Sequence, residues 1–127
     1  MEEKFVYMTP EQIEERKAKV AAIEGLAELR AAIKNRNDHF QAKMRFERGE
    51  LVDIPAYRSG EIQELEKKYP RATAYLEAER WIYSQNPVKV RLASRALEKI
   101  LDGEDPEAVI QEMSKGLDAF YLAQQGD

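Results

Sequence analysis

Four of the five prolines in this chain stand where a helix has to begin, and that punctuation constrains the fold more than any other feature. Proline has no backbone N–H and a φ fixed at about −65°, so it disrupts a helix interior but suits the first helical position. Thr9-Pro10, Tyr69-Pro70, Asn86-Pro87 and Asp105-Pro106 each place it there. Thr9, Asn86 and Asp105 add a side-chain oxygen that can cap the first free N–H groups, and Gln12 completes a capping box with Thr9. Met8 and Ile13 flank that start in the positions of a hydrophobic staple.

Helical periodicity fills the intervals. Ile13, Val20, Ile23, Leu26, Leu29, Ile33, Phe40 and Met44 recur three, four or seven apart and share one stripe. Gly25 weakens a helix without ending it. Residues 10–48 therefore read as one long amino-terminal helix, or as a helix pair if Asn35-Arg36-Asn37-Asp38 breaks the run with Asn37 or Asp38 as a new cap. Unbroken, it would extend about 58 Å at 1.5 Å per residue, roughly twice the diameter of a small domain.

Residues 49–60 lose the period and contain Pro55, which marks an extended connector lying down on the helices. Ser59 or Gly60 then opens a short helix, EIQELEKKY. The helix from Pro70 turns Tyr75, Ala78 and Ile82 inward and stops before Asn86. The one from Pro87 presents Leu92, Ala93, Ala96, Leu97, Ile100 and Leu101 and ends at Gly103. The last shows Val109, Ile110, Met113, Leu117, Phe120 and Tyr121. Only Asp102-Gly103-Glu104-Asp105 joins these two, which predicts an antiparallel αα-hairpin over residues 87–124. The expectation is an all-α chain: a single domain, 1–127, holding a helical array of four to six helices. Its parts are the amino-terminal helix or pair (10–48), the connector (49–60) and a helical bundle (61–124).

With 127 residues the chain can close one hydrophobic core. The absence of cysteine removes disulfides, thiolate zinc sites and cysteine nucleophiles. No apolar stretch approaches the roughly 20 residues of a membrane span. MEEKFVYMTPEQ lacks the basic start and apolar run of a secretory signal, so a cytoplasmic protein with no membrane partner is expected.

From YPRATAYLEAERW through ALEKILDGEDPEAVIQEM, residues 69 to 113, the chain resembles small uncharacterised helical proteins carried by phages and mobile elements of Firmicutes. The shared positions are caps and core residues, and the resemblance implies no particular activity. Its implication is contextual: accessory proteins of this kind act by binding macromolecules.

Catalytic patterns are absent. His39, the single histidine, has Asn35 and Lys43 one helical turn away on either side, so neither a metal site nor a proton relay is indicated. The neighbouring carboxylates Glu11, Glu14 and Glu15, Glu61 and Glu64, and Glu77 and Glu79 interleave with Lys or Arg as solvated helix faces do. There is no glycine-rich phosphate loop and no nucleophile elbow. The reading is a non-enzyme without a cofactor or metal.

Charge is uneven along the chain. Residues 34–48 carry five basic against two acidic residues, and 71–101 carry six against three, a balance of +3 in each. Residues 102–127 carry seven acidic residues against Lys115, a balance of −6. The two basic segments suggest a nucleic-acid surface built on Lys43, Arg45, Arg48, Arg91 and Arg95, with Phe40, Phe46 or Tyr83 stacking on bases. Against this, a net charge of −4 is unlike a dedicated nucleic-acid binder, and basic faces commonly pair with acidic helices of the same chain. Tyr69, Tyr75, Trp81 and Tyr83 read as core or interface, with an aromatic pocket for a small ligand near Arg80 as the third alternative. The preferred expectation is an accessory or regulatory protein that binds macromolecules and self-associates through Ile13, Val20, Ile23, Leu26, Leu29 and Ile33. A long helix with an uncovered stripe tends to bury it in another chain, either a second copy or another protein.

Overall fold

The computed structural model describes residues 8–125, so the two ends of the 1–127 domain range lie outside the described residues. Within them there are six helices and no strand: α1 (Pro10–Ala21), α2 (Leu26–Glu47), α3 (Glu61–Lys68), α4 (Pro70–Ile82), α5 (Pro87–Leu101) and α6 (Pro106–Gln125). All four proline-marked starts are helix starts. Thr9 and Gln12 form the full capping box, Asn86 accepts from the Val88 N–H at 2.9 Å, and Asp105 accepts from the Ala108 N–H at 3.1 Å. No helix among the described residues is long and apolar enough to cross a membrane.

The amino-terminal stripe is divided, but not where the asparagines stand. The chain turns at Ala22–Gly25, and α2 then runs unbroken through Asn35–Asp38. Gly25 does interrupt the run, contrary to the expectation from propensity: α1 stops at Ala21 with Ala22 as its C-cap, and Gly25 is the N-cap of α2. Its φ of +78° is a left-handed conformation that favours glycine, and a Cβ built there would overlap the Tyr69 ring. Neither Asn37 nor Asp38 caps a second helix, because α2 continues through both and the Asp38 carboxylate pairs with Lys34 at 2.7 Å; nearby Asn35 donates its amide to the Ala56 carbonyl at 2.8 Å. A cap must leave helical dihedrals and turn its oxygen onto the backbone, and neither residue does. In place of one projecting helix of 39 residues there are helices of 12 and 22.

The core is dense in alanine. Ala72, Ala74, Ala78, Ala93 and Ala96 are buried where α4, α5 and α6 pack together, with Leu97, Ile100, Val109 and Met113 filling the space between backbones. Helix α6 runs back along α5: Glu112 pairs with Lys99, Gly116 lies against Leu92, and the Tyr121 hydroxyl accepts from Asn86. At the turn between these helices the Arg71 guanidinium donates to the carbonyls of Ile100 at 2.9 Å, Glu104 at 2.8 Å and Gly103 at 3.4 Å. A cation there adds a donor to the last carbonyls of the helix and meets the negative end of the α5 dipole.

Only the inner half of α2 joins this core. Leu26, Leu29 and Ala32 are its buried residues, in one core with Ile62 of α3, Tyr69 at the α3–α4 junction and Tyr75 of α4, and Ile33 lies partly buried beside them. Arg30 forms a two-pronged pair with Glu79 of α4, at 2.9 and 2.8 Å, which holds the guanidinium pKa above its ordinary value. Helix α1 buries no residue. It lies by α5 through the ion pairs Arg16 to Glu98 and Lys19 to Asp102, exposed contacts of small individual worth.

Candidate functional site

Beyond Ala32, α2 has no buried residue, yet its apolar face continues. Leu26, Leu29 and Ile33 share a helical phase with Phe40 and Met44, because these spacings of three, four and seven keep one direction on a 3.6-residue helix. The inner part of the stripe meets the bundle; the outer part meets water. Residues 50–58, which have no regular secondary structure, fold back along an adjoining face of the same helix. Two side chains hold them there: Asn35, through its bond to Ala56, and His39, whose Nδ1 donates to the Pro55 carbonyl at 2.7 Å. Tyr57 closes the contact, its ring centroid 5.5 Å from His39 and 5.6 Å from Phe40. At the end of the helix, Gly49 (φ +92°) allows the reversal, with the Glu50 N–H donating to Arg45 O and the Gly49 N–H to Phe46 O. Outer α2 and the connector form an arm.

The arm concentrates exposed apolar surface. Phe40 is 46% exposed, Met44 53%, Phe46 58%, Leu51 101% and Ile54 41%. Taking a large side chain at about 170 Å², these five together leave on the order of 500 Å² in water, with Phe46 on a different face of the helix from Phe40 and Met44. Among the described residues the other large exposed apolar side chains, Met8 and Ile13 near α1, Tyr83 after α4 and Tyr121 and Leu122 on α6, lie on other elements.

The residues named from sequence fall into two groups. Ile23, Leu26 and Leu29 are buried in the chain's own core, Val20 and Ile33 pack against that core, and Ile13 alone is exposed. The stripe therefore offers a partner its outer end. Of the basic residues, Arg45 pairs with Glu50, while Lys43 and Arg48 on the arm and Arg91 and Arg95 on α5 have no ion-pair partner among the described residues. The rest of segment 71–101 is engaged within the chain. Arg71 holds the α5 terminus, Arg80 pairs with Glu77, Lys99 with Glu112, and Lys89 sits 5.1 Å from the Trp81 ring centroid. The four aromatic residues divide as well. Tyr69 and Tyr75 are core, Trp81 is partly buried and Tyr83 stands in water.

His39 is more than a surface residue. It is half-buried and donates from Nδ1, so its role is to fasten the connector. Among the described residues no group of three or more His, Asp or Glu side chains could hold a metal ion. Leu51 and Ile54 escape sequence reasoning because a segment without period gives no sign of which side chains face inward, whereas Phe46 is legible in sequence only as a stacking candidate. Half-buried Val52, Pro55 and Tyr57 do lie down on the helices, whereas Leu51 and Ile54 do not. Comparison with protein-family models, with curated proteins and with solved structures found no match for this chain.

Proposed function

We infer that this chain is a macromolecular-interaction protein and that the arm is its contact surface. The observation that carries the reading is the gathering of Phe40, Met44, Phe46, Leu51 and Ile54 on one projection while inner α2 is closed by the chain itself. Water-exposed apolar side chains scattered singly need no explanation, but five on one short projecting segment leave apolar area that gains by burial, at about 25 cal/mol per Å². The second reading, nucleic-acid engagement, retains Lys43 and Arg48 beside Phe40 and Phe46. It is weakened by the pairing of Arg45 with Glu50 and by the in-chain partners of most basic residues on α4 and α5.

The test is photo-crosslinking in cells. A photoreactive phenylalanine analogue at Leu51 is expected to trap macromolecular adducts that the same analogue at exposed Ser94 on α5 does not. Equal yields at both positions, or none at position 51, would remove the arm as the contact surface. Digestion of the adducts with nuclease or protease tells nucleic acid from protein.

A further inference from the structure

A second surface of the same molecule complements the arm. Between the start of α4, the end of α3 and the start of α6 runs a cleft of about 360 Å³. Its apolar lining is Pro70, Ala74, Pro106 and Ile110, and its walls carry the carboxylates Glu66, Glu77 and Glu107. Glu77 already pairs with Arg80, but Glu66 and Glu107 have no ion-pair partner among the described residues, and both are exposed. The arm presents the reverse pattern. Phe40 and Met44 stand one helical turn apart, with unpaired Lys43 and Arg48 nearby on the same helix end.

Resting on the reading of the arm as a contact surface, we propose that its partner is a second copy of this chain, whose arm lies in the α4–α6 cleft as a helix lies in a groove. The Phe40 and Met44 side chains enter the apolar lining, and Lys43 and Arg48 meet Glu66 and Glu107. Charge favours this occupant over a neutral one. The arm, residues 34–58, carries six basic against four acidic residues, a balance of +2, whereas the chain from Asp102 onward carries −6, so two copies meet with opposite potentials when arm faces cleft. Pairing arm with arm would instead set Lys43 and Arg48 of both copies against each other. Within one copy, inner α2 is fixed on α3 and α4, and its outer half buries nothing. The contact is heterologous, a protruding surface of one copy on a receptive surface of the next.

The interface falls below about 1,200 Å², at the weak end of specific contacts, so the experiment is sedimentation velocity of the full chain over a concentration series reaching about 200 µM. The sedimentation coefficient is expected to rise with concentration at about 50 mM salt and to fall back toward the monomer at about 500 mM, where the screening length shrinks to a few ångströms. Two double variants locate the contact. Lys43→Glu with Arg48→Glu reverses the arm, and Glu66→Lys with Glu107→Lys reverses the cleft wall. Each reversed rim charge is expected to weaken association by on the order of tenfold. An equimolar mixture of the two variants is expected to recover it. All four positions are exposed, and circular dichroism confirms that the variants fold.

A wild-type chain that stays monomeric throughout the series overturns the proposal. So does a cleft variant that associates as well as wild type, since the arm would then be meeting some other surface. If crosslinking at Leu51 still traps other macromolecules in either case, the arm remains the contact surface and only the second copy is lost as its partner.

Discussion

Replacing Gly25 by alanine separates local from tertiary control by the sign of its effect. If Gly25 were an ordinary position inside one long helix, alanine would stabilise the protein by up to about 1 kcal/mol, the difference in helix propensity. The structure demands the opposite. Gly25 holds φ at +78°, where a side chain costs about 1–2 kcal/mol. The new Cβ would also overlap the buried Tyr69 ring, and displacing a packed aromatic costs about 1–3 kcal/mol more. A loss of about 2–5 kcal/mol follows, which for a chain of this size lowers Tm by roughly 8–20 °C. Urea unfolding followed at 222 nm measures it directly, with an unchanged m value showing that the two-state comparison holds. Adding Tyr69→Ala removes the overlap but leaves the dihedral cost, so the double variant should lose less than the sum of the singles, with a coupling of about 1–3 kcal/mol. A neutral or stabilising Gly25→Ala would refute the turn between α1 and α2, and with it the direction in which the arm leaves the bundle.

Arg71→Ala removes the guanidinium that donates to three carbonyls at the α5–α6 turn, of which Ile100 O keeps the Gly103 N–H, and is expected to cost about 1–3 kcal/mol, read as a shift of the urea midpoint. Asn35→Ala combined with His39→Ala releases both bonds that fasten the connector; chymotrypsin should then cut after Leu51 or Tyr57 faster than in wild type, at little change in Tm. The Arg58 guanidinium, hydrogen-bonded to Glu64, holds that carboxyl below its ordinary pKa. A depressed folded value means that the stability it contributes is fully present above the unfolded value of about 4.3 and is lost as pH falls through the folded one. Glu64→Gln should therefore narrow its stability gap to wild type as the pH is lowered through that window, and a gap independent of pH would contradict the pairing.

The helix starts were legible in sequence because proline and capping side chains act within four residues of themselves. Thr9, Asn86 and Asp105 bond to N–H groups two or three positions on, and no distant atom is needed to decide it. Much of the inward face of α5 was legible for the same reason, since periodicity is a local property, but buried Ala72 and Ala74 of α4 were not read from it and Tyr121 of α6 is exposed. Two matters were settled only in three dimensions. Gly25 became a turn because Tyr69, more than forty positions away, occupies the space its Cβ would need, and that proximity exists only once α4 has packed. Likewise, one continuous stripe on α2 became part core and part surface. Periodicity fixes which residues share a face, but only the extent of the helices packed against that face determines where burial stops. Leu29, 1% exposed, and Met44, 53% exposed, read alike in sequence and differ because α3 and α4 cover one and not the other.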